Sequence, residues 1–61
     1  MQNLKMIRKN KRVSQMTLAQ LVGVSLLTIQ LWEKGVTKPN EDNQAKLNKV
    51  LESLSDRNQE N

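Results

Sequence analysis

Residues 14–35 read SQMTLAQLVGVSLLTIQLWEKG, and the fold turns on this stretch. Ser14 can cap a helix, because its side-chain oxygen accepts one of the first-turn N–H groups that have no partner inside the helix. Leu18, Leu21 and Val22 follow at helical spacing, and Gly23 ends the segment as a left-handed C′ residue. Val24 leads directly to Ser25, a second cap, and a further helix runs to about Lys34 before Gly35 stops it. Two helices separated only by Gly23-Val24-Ser25 cannot stack in line and must turn sharply.

That sharp turn is the geometry of a helix-turn-helix unit, here spanning about 14–34. Upstream, Leu4 and Ile7, with Met6, give a short apolar stripe among basic residues and predict a first helix over about 3–10. The polar segment 10–13 then connects the first helix to the second. Downstream, Thr37 to Asn40 form a loop in which Pro39 forbids a continuous helix. Asn40 caps a fourth helix with Glu41 and Asp42 in its first turn, where acids complement the helix dipole. Leu47, Val50, Leu51 and Leu54 mark its buried face. The expected fold is all-α, with four helices and room for a fifth, in one domain over 1–54. A polar tail, 55–61, is expected to fray.

Sixty-one residues without cysteine or histidine exclude disulfides, thiolate metal sites and the usual general base. So short a chain rarely encloses a catalytic pocket, so an enzyme is not expected, and no cofactor or metal is implied. No apolar run approaches the roughly 20 residues that span a bilayer, and no signal-peptide pattern opens the chain. A cytoplasmic protein with no membrane or small-molecule ligand follows as an expectation. The net charge of +4 is unevenly placed. Residues 1–32 hold Lys5, Arg8, Lys9, Lys11 and Arg12 and no acid, whereas residues 33–61 carry five basic and six acidic groups. A basic amino-terminal half suits a polyanion such as DNA, although a solvated basic helix has the same composition.

Leu4, Ile7, Arg8, Ser14-Gln15, Leu18-Ala19, Gly23-Val24-Ser25, Thr28-Ile29, Trp32-Glu33, Gly35 and Pro39 form a pattern that runs without a gap. In this register, from Leu4 to Pro39, the chain resembles the Cro/repressor (XRE) family of helix-turn-helix transcription regulators. Each of these residues also has a physical reason. Ala19 lets the second and third helices approach, and Leu18, Leu21, Val24, Ile29 and Trp32 supply the core between them. The resemblance implies an ion pair between Arg8 and Glu33, tying the first helix to the third. It implies a phosphate contact for Gln15, for which helix capping is an equal alternative; Lys11 and Arg12 are further phosphate candidates. Arg12 stands where the family usually has glycine, so a left-handed backbone there would be strained.

The third helix is the recognition helix of such a fold. With Ile29 and Trp32 inward, Leu26, Leu27, Gln30, Leu31 and Lys34 are expected to face out. Three leucines among five positions are unusual for a helix that reads base edges with hydrogen bonds. They would form an apolar patch, extended by Met16, and three readings follow. The favoured one is a protein-docking face: a phage or mobile-element antirepressor that masks a second helix-turn-helix repressor. The alternative is a dimeric, Cro-type repressor of operator DNA, with the leucines on thymine methyls and Gln30 and Lys34 making polar contacts. In the third, the leucines only pack on a fifth helix or a dimer mate.

Overall fold

A computed structural model describes residues 3–54, and it contains four helices: α1 (Leu4–Asn10), α2 (Gln15–Val22), α3 (Leu26–Lys34) and α4 (Glu41–Ser53). No strand occurs among the described residues. The tail expected at 55–61 lies outside them, as does any fifth helix beyond Leu54. No single described helix is long and apolar enough to cross a membrane.

Every helix opens in the same way. Asn3, Ser14, Ser25 and Asn40 have extended backbones, and their side chains accept from the N–H of Met6, Thr17, Thr28 and Asn43. Asn3 is therefore the cap of α1 and not its first residue. Ser14 and Ser25 also share a hydroxyl hydrogen bond with Thr17 and Thr28, at 3.0 and 2.9 Å.

The first three helices also close alike. Each ends in a residue of positive φ: Arg12 at 58°, Gly23 at 89° and Gly35 at 77°. A valine follows each one, and its N–H returns to a carbonyl in the last turn. Val13 reaches Arg8 at 3.4 Å, Val24 reaches Ala19 at 2.9 Å, and Val36 reaches Leu31 at 3.0 Å. The chain can therefore change direction abruptly without leaving carbonyls unpaired. Between α2 and α3 the helix axes turn by 110°, the value a helix-turn-helix needs.

Packing centres on α2, which lies against both α3 and α4, while α1 lies on α3. Leu18, Ala19, Val22, Ile29 and Leu47 are buried, and Leu4, Val24, Trp32, Val50 and Leu51 pack around them. Burying a side chain as complete as Leu18 or Ile29 stabilises by roughly 1.5–3 kcal/mol. Leu21 does not join this core and is 51% exposed. The inner face of α2 runs along Gln15, Leu18, Ala19 and Val22. At about 100° per residue, Leu21 lies roughly 110° around from the middle of that face. Its spacing from Leu18 is helical, but its direction is wrong.

The backbone at Arg12 generates a prediction. A side chain in the left-handed region costs about 1–2 kcal/mol, partly offset in a glycine variant by glycine's larger unfolded-state entropy. Arg12→Gly should therefore raise stability by about 0.5–1 kcal/mol, and Gly23→Ala should lower it by about 1 kcal/mol. Urea unfolding of the two variants beside the parent chain checks both signs.

Candidate nucleic-acid interface

The surface in question is built on a polar chain of side chains that begins in α1. Arg8 is buried, and its guanidinium makes three hydrogen bonds. Nε donates to Glu33 Oε2 at 2.6 Å, Nη2 to Glu33 Oε1 at 3.3 Å, and Nη1 to the Val13 carbonyl at 2.9 Å. The side chains of Arg8 and Glu33 are 10% and 4% exposed, so α1 is stapled to α3 by a pair nearly free of water. Gln15, the first residue of α2, donates from Nε2 to Glu33 Oε1 at 2.9 Å. Gln30 then donates from Nε2 to Gln15 Oε1 at 3.4 Å. Three helices thus converge on one carboxylate.

Burial by itself would lift the Glu33 pKa. Hydrogen bonds from Arg8 and Gln15, with the charges of Arg8 and Lys5, outweigh it and hold the carboxyl below its ordinary value of 4.5. Beside this chain opens a cleft of about 230 Å³ lined by Lys5, Gln15, Gln30, Glu33 and Lys34. Lys5 was not singled out by sequence reasoning. It stands three residues before Arg8 on α1, a spacing that puts the two on one helix face, and that was the available signal.

The outward residues of α3 separate into two kinds. Taking Ile29 as the inward direction, Leu27, Leu31 and Lys34 lie about 140–160° away, Gln30 about 100°, and Leu26 only about 60°. Leu27 is 61% exposed, and Lys34 is exposed as well. Leu26, Gln30 and Leu31 are half-buried. The expected patch of three exposed leucines is therefore reduced to Leu27 in full and Leu31 in part. Leu26 is drawn back towards the domain by its direction on the helix. Met16 is 50% exposed in the first turn of α2. Val36, which sequence reasoning did not single out, is 66% exposed just beyond α3.

The two other basic candidates differ in placement. Lys11 is half-buried and donates from Nζ to the Leu54 carbonyl at 3.0 Å, tying the end of α1 to the end of α4. Arg12 is exposed at the C-terminal end of α1. A second concavity, of about 360 Å³, is lined by Leu4, Ile7, Trp32, Pro39, Leu47 and Leu51 among others, and none of the α3 leucines borders it. No group of three or more acidic, histidine or cysteine side chains that could hold a metal occurs among the described residues.

Two predictions come from the staple. Arg8→Ala leaves a buried carboxylate without its partner, which costs about 3–5 kcal/mol, and denaturant titration should show most of the domain's stability lost. For pH, the folded-state pKa of Glu33 is depressed. Its contribution is complete above the unfolded value near 4.5 and is lost as pH falls through the lower folded value. Thermal melts from pH 7 down to pH 3 should show that acid-side loss in the parent and a flatter profile in Glu33→Gln.

A helix-turn-helix family model matches residues 4–56. Repressor protein C2 of Salmonella phage P22 is 39% identical over 49 residues, which is 80% of this chain and 23% of that repressor. The chain thus spans about a quarter of the length of this relative. No solved structure matches it. With four helices, the 110° turn and the Arg8–Glu33 staple in place, the chain belongs to the Cro/repressor (XRE-type) helix-turn-helix family.

Proposed function

We propose that the chain is a cytoplasmic, DNA-binding repressor domain that seats α3 in the major groove of operator DNA. The observation that carries this reading is the construction of α3. Its inner face is anchored through Ile29 and Glu33, while Leu27, Gln30, Leu31 and Lys34 project from a surface whose amino-terminal neighbours bear only positive charge. Bound duplex meets this surface in two ways. Lys5, Lys34, Arg12 and the second amide hydrogen of Gln15 contact phosphates, which set register and supply most of the affinity. Leu27, Gln30 and Leu31 lie against base edges, with Leu26 at the margin of the contact. Repressor protein C2, the phage relative, is named for repression, which agrees with this direction. In its two-fold form the reading requires a dimer on a palindromic operator.

A second reading has one observation in its favour. Leu27, Met16, Leu21 and Val36 are all exposed apolar side chains, and exposed apolar side chains suit a protein partner, including a second repressor whose DNA face would then be masked. It is the weaker reading because Leu26 and Leu31 are half-buried, so the leucine patch offers less area than three exposed leucines would.

Titration of the chain against duplex from the promoter beside its own gene separates the two readings. For about four phosphate contacts, affinity should fall about 100-fold between 50 and 200 mM salt. Leu27→Glu should keep the parent's unfolding midpoint, because the side chain is exposed, yet lose duplex binding. No duplex binding by the parent, with release of a neighbouring repressor from DNA on its addition, would replace the operator reading with partner masking.

A further inference from the structure

Apart from Lys34 at its last position, the outward face of α3 carries no group suited to guanine or cytosine, and we propose that it reads A·T base pairs, with Gln30 on adenine and Leu27 on a thymine methyl. This deepens the operator-binding reading and rests on it. In the major groove guanine shows two acceptors and calls for Arg or Lys. Cytosine shows a donor and calls for a carboxylate. Adenine shows an acceptor beside a donor, and thymine shows an acceptor and a methyl group.

The residues of α3 meet these demands selectively. Its only carboxylate, Glu33, is turned inward and committed to Arg8 and Gln15. Thr28 is committed through its hydroxyl to Ser25 at the cap. Lys34 is the sole basic residue and sits at the last position of the helix, whereas recognition helices present their N-terminal residues to the bases. Leu27 and Leu31 have no polar atom, so a methyl group is the feature of a base edge they can complement. Gln30 remains as the one polar reader.

The orientation of the Gln30 amide follows from the buried charge. A carboxylate only accepts, so Gln15 must turn its NH₂ towards Glu33 and its carbonyl away. That carbonyl in turn accepts, so Gln30 must turn its own NH₂ towards Gln15, as the 3.4 Å contact records. One Gln30 N–H is thereby used. The second N–H and Oε1 of the same amide remain for a base, one donor and one acceptor, which is the pair that adenine N7 and N6 call for. Against guanine the fixed Oε1 would face O6, two acceptors in opposition. Gln15 and Glu33 act here as positioning residues for Gln30.

The test is a selection by the full chain from a duplex library with a randomised central segment, followed by base analogues in the selected duplex. A·T pairs should be enriched at the two contacted positions. Deoxyuridine in place of the contacted thymidine should weaken the parent about fourfold, the worth of one buried methyl group. Leu27→Ala should bind weakly and show no further loss with deoxyuridine. Replacing the contacted adenine by guanine should cost the parent about 5- to 150-fold. Gln15→Ala should shrink that adenine-over-guanine ratio while keeping the deoxyuridine effect intact. Tight, steeply salt-dependent binding with G·C at these pairs, or indifference to the methyl group, would overturn the base assignment and leave operator binding standing. Absence of duplex binding at every salt concentration would overturn both.

Discussion

Arg8 and Glu33 bring a full positive and a full negative charge out of water in a 61-residue chain, and most of the architecture is arranged around keeping them together. The pair holds α1 on α3 where the apolar core, centred on α2, does not reach with its fully buried members. Its geometry depends in turn on the loop after α1, because the third guanidinium bond goes to the Val13 carbonyl. That carbonyl is aimed by the left-handed turn at Arg12, so a strained residue and a buried charge support one another. A pair of this kind is weak evidence of high stability, since an apolar replacement can do as well. What it adds here is direction: the carboxylate has one acceptable environment, and three helices must assemble to make it.

Much of the fold was legible because the chain punctuates itself. Ser14, Ser25 and Asn40 sit where helices begin, and Gly23 and Gly35 sit where helices end. The limits are equally physical. Leu21 obeys helical spacing from Leu18, yet spacing does not say which of two diverging directions the neighbouring helices will cover. The α3 leucines raised the same difficulty in reverse. Composition alone makes them look like one patch, and only the direction of Ile29 separates Leu27 from Leu26. The Gln15–Gln30 bond could not be read at all, since it joins side chains 15 residues apart across a turn. Both glutamines were visible as candidates; their relation required the 110° crossing.

The recurring valine after each left-handed residue shows how a domain of this size manages its ends. Three helices stop within a turn, each closing on a carbonyl of its own last turn, and no segment is spent on long connections. Val13 and Val24 are partly covered by the domain, whereas Val36 remains open to solvent beside the C-terminal end of α3. The same local device therefore serves packing twice and surface once. Nothing in the motif distinguishes these outcomes; the surrounding helices do.

The polar chain from Arg8 to Gln30 divides the proposed recognition surface by its capacity for change. Leu27 stands free, so a lineage can exchange it for another side chain in a single step and acquire a new target without disturbing the domain. Gln30 is tethered through Gln15 to the group that holds α1 on α3, and its replacement takes away the donor to the Gln15 carbonyl oxygen. Drift in specificity should accordingly begin at the free-standing position and reach the tethered one only in company with Gln15, so that related regulators diverge by paired steps at one end of the helix and by single steps at the other.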